Sequence, residues 1–383
     1  MDSNKKNIVI LGSTGSIGTN VVKVALEHSN LFNVVGLVAR NSVESLAKQA
    51  RQLGCGTIIT TDETKYDELN SFAPDNCEVL KGVEAVRELV LRENVDLILC
   101  AIIGTGGLLP VIDALRAGKT VALASKEVLV MAGELVTAAA HEGGGQLIPV
   151  DSEHSAVFQC LEGNKNSKLN KIILTSSGGA FRDFTEAEMT TASYNDALAH
   201  PTWDMGAKVT IDSASMMNKA LEVVEAGYLF DLPPEKIEVI IHREAIIHSM
   251  VEFVDGCILA QMSEPDMRFP IQYAMLYPKR IANSMKSLDL AKCGTLSFLA
   301  PDRSKFPALD FAYEALRQGG TMPAVMNAAN EVAVEKFRKG EIAFPQIWVI
   351  IDKVMKLHKT EKQKDIETVL RADAWARKIA EEI

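Results

Sequence analysis

The chain has 383 residues, 47% of them apolar and 23% charged, with 50 acidic against 40 basic side chains and a net charge of −10. That length exceeds one ordinary core and asks for two or three domains; the acidic balance disfavours non-specific nucleic-acid binding, and no apolar run approaches the roughly 18 residues of a membrane span. The six cysteines (55, 77, 100, 160, 257, 293) are scattered without a CxxC pair, and the start runs into a strand with no room for a signal or transit peptide, so a cytoplasmic protein with reduced thiols is expected and a zinc cluster is not.

Ile8-Val9-Ile10-Leu11 reads as a buried parallel strand, followed at once by Gly12-Ser13-Thr14-Gly15-Ser16-Ile17-Gly18 and a helix over 19–28. Glycines permit the tight bend and the close approach of backbone to a pyrophosphate, and the helix N-terminus offers free N–H groups. The spacing is GxxGxxG rather than GxGxxG, but the strand and helix around it favour a dinucleotide site over a bare turn. The second strand, 33–39, ends at Arg40-Asn41-Ser42. An acid there would bind a ribose 2′-hydroxyl; a cation accommodates a 2′-phosphate, so Arg40 favours NADP over NAD unless it is only a solvated surface residue. The alternation continues with strand 57–60, helix 82–92, strand 96–103, helix 108–117, strand 120–124 closed by Ser125-Lys126-Glu127, and helix 128–142. It predicts a parallel sheet with right-handed crossovers. Ligands of such sheets sit beyond the strands' carboxyl ends, where Gly12, Arg40, Gly104, Lys126 and Asp151 all stand.

Pro149-Val150-Asp151-Ser152-Glu153-His154-Ser155 sets two carboxylates two residues apart. On an extended strand both side chains point one way, and no Lys or Arg in the segment neutralises them. A hard divalent cation is the sharp reading; a solvated turn that caps a helix is the plain one. Strand 171–175 leads into Ser176-Ser177-Gly178-Gly179, which can cradle an anion or simply turn. His200-Pro201-Thr202-Trp203-Asp204-Met205-Gly206 suits a flap that excludes water, or a loop pinned by its Trp. Residues 211–226 read as one capped helix with Asn218, Glu222 and Glu225 on one face. Ser213, Asn218 and Lys219 offer donors to a phosphate, and Glu222 can complete a metal site with Asp151 and Glu153; an ordinary amphipathic helix with a Lys219–Glu222 surface pair competes. Strands over 237–254, around His242 and His248, and over 256–261 make the second domain α+β, and each histidine alone reads as structural. A linker at 300–307 precedes helical stretches 309–318, 324–338, 344–357 and 365–379, a small bundle in which Asn327 and Asn330 read more readily as loop ties than as cleft residues.

Together, the glycine loop 12–18, Ser125-Lys126-Glu127, 149–155, 176–179, 200–206, 212–222, Ile247-His248-Ser249-Met250-Val251, Glu264-Pro265-Asp266-Met267-Arg268 and Asn327-Ala328-Ala329-Asn330-Glu331 closely resemble the 1-deoxy-D-xylulose 5-phosphate reductoisomerases of the non-mevalonate isoprenoid pathway. The resemblance covers nearly the whole chain. It implies an α/β homodimer with a Rossmann-like NADPH-binding domain (1–150), a central α+β catalytic domain (151–290, flap near 198–208), a linker (291–308) and a C-terminal helical bundle (309–383). It implies that 1-deoxy-D-xylulose 5-phosphate becomes 2-C-methyl-D-erythritol 4-phosphate by retro-aldol and aldol steps and a hydride from NADPH. Carried over by position, Asp151, Glu153 and Glu222 look like ligands of one Mg²⁺, Mn²⁺ or Co²⁺ ion, and Ser177, Ser213, Asn218 and Lys219 like the phosphate site. Ser152 and Lys126 look like contacts to the oxygenated carbons, while His154, His200 and Trp203 shape the site. Lys126 and His154 are grouped with the three carboxylates as catalytic. Cofactor contacts are expected at Gly12, Thr14, Gly15, Ser16, Ile17, Gly18, Arg40, Asn41, Ala101, Ser125, Lys126, Glu127 and Gly206. Ser125 stands where the family often has Asn, Ala245 where it often has Ser, and Arg243-Glu244 where Pro-Gln is frequent. The alternatives are a metal-independent NADP-dependent dehydrogenase of a semialdehyde or sugar, and a non-catalytic NADP-sensing module; neither needs three convergent carboxylates.

Overall fold

The computed structural model describes residues 5–199, 202, 203 and 205–383. They fall into two compact units, the first made of the described residues within 5–128, 136–155 and 266–286, the second of those within 129–135, 156–265 and 287–383.

The first unit is built on seven parallel strands: β1 (Lys6–Leu11), β2 (Phe32–Ala39), β3 (Thr57–Thr60), β4 (Glu78–Lys81), β5 (Leu97–Cys100), β6 (Thr120–Leu123) and β7 (Gln146–Pro149). Their spatial order is β4-β3-β2-β1-β5-β6-β7. The chain builds outward to β4, then returns to place β5 beside β1, so the order reverses at the β1/β5 boundary, where such sheets bind ligands. Ile8-Val9-Ile10-Leu11 and Leu97-Ile98-Leu99-Cys100 are buried throughout, as unbroken apolar strands of a covered parallel sheet should be. The helix Ser16–Glu27 follows β1 and buries Val21, Val22, Val24 and Ala25. The returning helix Arg268–Leu276 packs on it. His28 Nε2 lies 3.2 Å from Gln272 Oε1, and Lys6 Nζ donates to the Met275 carbonyl at 3.0 Å.

The second unit carries a four-stranded mixed sheet of β8 (Leu169–Ser176), β9 (Ile237–Ile241), β10 (Ile247–Phe253) and β11 (Ile258–Met262), ordered β11-β10-β8-β9. β9 runs parallel to β8, while β10 is antiparallel to both β8 and β11. Sheet residues Ile172, Leu174 and Val251 share one apolar core with the C-terminal helices Ala308–Gln318, Met322–Arg338, Gln346–Leu357 and Ile366–Glu382. Phe344 sits at its aromatic centre, edge-on to Phe181 at 4.6 Å and to Trp348 at 5.4 Å.

Two local expectations are corrected. The single helix expected over 211–226 is two, Ala207–Ala214 and Met217–Leu229, broken at Met216, whose φ is +61°. At the break, the Ser215 carbonyl accepts Trp348 Nε1–H at 3.1 Å instead of continuing the helix. Asp151 and Glu153 do not lie on an extended strand. β7 ends at Pro149, and the helix Ser152–Glu162 starts immediately, with Ser155 N–H donating to the Asp151 carbonyl at 2.8 Å. The helix-opening reading of that segment therefore holds for its backbone.

Candidate active site

The nucleotide half belongs to the first unit. Gly12 has φ +83°, and a Cβ there would meet the Ala101 carbonyl oxygen at 2.6 Å, so only glycine lets the turn after β1 lie against the end of β5. Gly18 is equally constrained, since a Cβ would fall 2.1 Å from the Gly12 oxygen. Gly12 and Ser13 N–H both donate to Val38 O, at 2.8 and 3.0 Å, which fixes the turn to β2. Gly15 and Ser16 are exposed at the start of the helix Ser16–Glu27, where no side chain caps the first N–H groups. Thr14 and Ile17 are half-buried beside them. The Ser13 hydroxyl is buried without a hydrogen-bond partner. A free helix N-terminus, a backbone stripped of Cβ atoms and a spare hydroxyl together fit a pyrophosphate.

Arg40 and Asn41 are exposed at the end of β2. The nearby Asp62 carboxylate is held below its usual range first by the Thr64 hydroxyl and backbone N–H, with Arg40 a smaller cause. Cys100, under this edge, is no nucleophile, because burial pushes its thiol up to about 12. Along the sheet edge the strand ends present Arg40, Gly12, Ala101, Ser125-Lys126 and Asp151 in that order. Four strand spacings of about 4.8 Å set about 19 Å between the outer two, the scale of an extended dinucleotide.

At the Asp151 end, Lys126 Nζ lies 2.6 Å from Asp151 Oδ2, both side chains 13% exposed. The cation missing from the 149–155 segment thus comes from the end of β6. His154 is wholly buried, with Nδ1 3.9 Å from the same oxygen. Ser152 Oγ donates to Glu153 Oε2 at 2.5 Å, and Ser125 Oγ to Glu127 Oε2 at 3.1 Å.

The second unit gathers the other candidates. Lys219 and Glu222 form an ion pair with side chains 3% and 1% exposed, so the pair is buried rather than a surface pair. Asn218 Nδ2 donates to Glu222 Oε1 at 2.5 Å. Glu225, one turn on, is also buried. The loop after β8 contains Gly178 (φ +85°) and Gly179 (φ +70°), and a Cβ on Gly179 would lie 2.2 Å from the Ser213 carbonyl oxygen. That contact seats the Ser177 loop on the end of the helix carrying Ser213. The adjacent Asp212 is buried between Lys208 Nζ at 2.7 Å and Asn330 Nδ2 at 2.9 Å. Asn330 thus links its helix to Ala207–Ala214, whereas Asn327 donates within its own helix, to Glu331 Oε1 at 3.1 Å. The Trp203 ring lies 6.1 Å from that of His248, whose Nε2 is 2.9 Å from Ser263 Oγ, a structural setting for this histidine. Gly206 is the exposed N-cap of Ala207–Ala214. His200, Pro201 and Asp204 lie outside the described residues. Ser13 and Asp62 escaped sequence reasoning. A serine inside a glycine loop was the available signal for the first; the second depends on β3 lying next to β2.

A parallel sheet with a glycine turn at its reversal point and an arginine at the next strand end defines a dinucleotide-binding protein. Family models narrow this. The model described as 1-deoxy-D-xylulose 5-phosphate reductoisomerase matches residues 8–133, its C-terminal domain 147–230, and a further DXP reductoisomerase C-terminal domain 262–379. The 1-deoxy-D-xylulose 5-phosphate reductoisomerase 1 of Bacillus thuringiensis subsp. konkukian is 48% identical over 99% of this chain and 98% of its own. The reductoisomerase of Thermodesulfovibrio yellowstonii is 48% identical over 98% of each chain. Among solved structures, the Zymomonas mobilis reductoisomerase in complex with NADPH superposes with a TM-score of 0.93 at 41% identity, over 98% of both chains. A DOX-P reductoisomerase in complex with NADPH, fosmidomycin and magnesium gives 0.93 at 38% identity, again over 98% of both. The chain belongs to the 1-deoxy-D-xylulose 5-phosphate reductoisomerase family.

Proposed function

We propose that this chain converts 1-deoxy-D-xylulose 5-phosphate into 2-C-methyl-D-erythritol 4-phosphate, using NADPH and one divalent cation. The observation that carries this is the full-length likeness to a reductoisomerase solved with NADPH, fosmidomycin and magnesium. The donor sets fit those groups: a Cβ-free turn with a spare hydroxyl for the pyrophosphate, Arg40 for the 2′-phosphate, and carboxylates for a hard cation. Asp151, Glu153 and Glu222 are assigned to share the ion. In support, Asp151 and Glu153 open a helix whose body, from Ala156, belongs to the unit that carries Glu222.

When bound, the cation polarises the substrate's carbonyl and hydroxyl oxygens, and NADPH supplies the hydride. The skeleton change breaks one carbon–carbon bond and forms another; the resulting aldehyde takes a hydride at carbon and a proton at oxygen. The residues do the rest. Ser177, Ser213, Asn218 and Lys219 hold the phosphate, and this remote binding energy keeps the fragments in register. Lys126 and Ser152 orient the oxygenated carbons, and His154, His200 and Trp203 are assigned to shaping the site. Residues 1–150 serve the cofactor and 151–290 the substrate with a flap near 198–208, while 291–308 link the latter to a C-terminal helical domain, 309–383, that buttresses the catalytic sheet.

We further infer a homodimer in the cytoplasm. β11 is an edge strand with Ile258 and Leu259 exposed beside Val254, the kind of edge a second copy covers. All six cysteines are free, and no helix among the described residues is long and apolar enough to cross a membrane.

The deciding assay follows NADPH absorbance with 1-deoxy-D-xylulose 5-phosphate. Oxidation is expected with Mg²⁺, lost in EDTA and restored by Mg²⁺, Mn²⁺ or Co²⁺. EDTA-resistant oxidation would identify a plain dehydrogenase instead, and NADPH binding without any turnover a sensing module.

A further inference from the structure

We propose that Arg182, steadied by Asp183 and Arg243, is a positioning residue that sets the loop Ser176–Gly179 in its anion-binding shape. The proposal rests on the reading of Ser177 as a phosphate contact.

That loop leaves β8 with two consecutive glycines at positive φ, a conformation with little intrinsic rigidity. Its own hydroxyls hold it weakly: Ser176 Oγ accepts Gly178 N–H at 3.2 Å, and Ser177 Oγ accepts Gly179 N–H at 3.3 Å. At its start the loop is held to the neighbouring strand, the Ser176 carbonyl accepting His242 N–H at 2.7 Å, and at Ser177 a charged tie comes from outside. Arg182 Nη1 donates to the Ser177 carbonyl at 3.0 Å, the peptide group directly behind the residue assigned to the phosphate. The stem of Arg182 lies flat on the loop, since a Cβ on Gly178 would meet Arg182 Cβ at 2.9 Å. The backbone of Arg182 is itself anchored, its carbonyl accepting Lys305 Nζ at 3.0 Å.

The guanidinium is aimed by a second layer. Asp183 Oδ2 accepts Arg182 Nε at 3.4 Å, and the same carboxylate is gripped by Arg243 through Nη1 at 3.2 Å and Nη2 at 2.5 Å. Arg243 stands in the turn between β9 and β10. Because β9 runs parallel to β8, that turn and the Ser177 loop emerge at the same end of the sheet, which is why Arg243, 60 positions beyond Asp183, can brace the loop through it. The Arg243 and Asp183 side chains are 39% and 61% exposed, so the pair contributes little to stability and acts on geometry.

Arg182→Ala, Arg182→Lys and Arg243→Ala test this, with KM for the sugar phosphate, the competitive Ki of inorganic phosphate, NADPH affinity and melting temperature as readouts. Arg182→Ala should raise KM and phosphate Ki together by about tenfold, the loss of one charge-assisted bond, with kcat and NADPH affinity within about twofold. Arg182→Lys should recover part of this, and Arg243→Ala should move the same two constants by a smaller factor. Ser177→Ala is the control. If it raises phosphate Ki and Arg182→Ala does not, the positioning role is overturned while the phosphate reading stands. If Ser177→Ala leaves the Ki unchanged, the phosphate reading itself falls. A drop in kcat and melting temperature without the Ki shift would reduce Arg182 to a structural residue and reject the proposal. Should Arg182→Ala not fold, Arg243→Ala and Asp183→Asn on the exposed pair carry the same test.

Discussion

Single side chains decide the charge balance of this site. Asp151 and Glu222 each have a lysine ammonium in contact, from Lys126 and Lys219, and a carboxylate in so dry a setting needs such a partner. In the proposed site, Glu222→Gln keeps the side chain's shape and removes one metal oxygen's charge. Turnover at saturating Mg²⁺ should fall by more than about 100-fold with NADPH affinity retained, and stability by roughly 3 kcal/mol because one partner of a buried ion pair is gone. Steady-state kinetics and NADPH fluorescence titration check this, and near-normal kinetics would reject the role. Arg40 is exposed at the end of β2, and in the proposed cofactor site its charge would face the 2′-phosphate. Arg40→Ala should raise the KM for NADPH by about tenfold and leave that for NADH unchanged, measured side by side. Arg40 and Asp151 were legible in sequence because a strand end announces itself: an apolar run stops and a polar residue follows. The partnership of Lys126 with Asp151 was not, since it joins the ends of two neighbouring strands that only the sheet order makes adjacent.

The glycine turn offers a sharper test at the level of the element, because its glycines are not equivalent. A Cβ at Gly18 would sit 2.1 Å from the Gly12 oxygen and 2.6 Å from Ser13 backbone atoms, so the turn and its helix would have to part. At Gly15 the added carbon meets nothing nearer than the Gly12 oxygen at 3.5 Å. Gly18→Ala should therefore abolish measurable NADPH binding and cost about 1–3 kcal/mol as overpacking, whereas Gly15→Ala should keep the stability of the parent. Calorimetry and fluorescence titration of both variants separate a shape requirement from a general need for flexible glycine. Most of this unit's strands and helices were readable, because apolar runs and glycines mark parallel strands and their turns. The break at Met216 was not. Methionine is a good helix former, no Gly or Pro flags the position, and the hydrogen bond to Ser215 O comes from Trp348, 133 residues away.

The chain as a whole passes between its two units several times. Helix Lys126–Gly143 departs from helical geometry at Ala132, and its stretch Leu129–Leu135 belongs to the second unit, where Gln363 Nε2 donates to Met131 O at 3.0 Å and Gly320 N–H to Glu134 Oε1 at 2.8 Å. The stretch Asp266–Lys286 returns to the first unit. No periodicity announces such crossings; they follow from which apolar faces find each other across hundreds of residues, as the helix Arg268–Leu276 finds Ser16–Glu27. The proposed metal ligands share this character, with Glu153 and Glu222 separated by 69 positions (222 minus 153). An unfolded chain cannot hold them together, so the ion should bind the native state alone and stabilise it. At a concentration 100 times its Kd the gain is about 2.7 kcal/mol, which for a chain of this size is a rise in melting temperature of roughly 3–5 °C over the EDTA-treated protein. Asp151→Asn and Glu222→Gln should each erase most of that Mg²⁺-dependent rise, although they lie in different units, while Gly18→Ala should keep it despite losing NADPH. A rise that survives in either carboxylate variant would mean that the two acids do not serve the same ion, and the assignment of Glu222 to the site would have to be withdrawn.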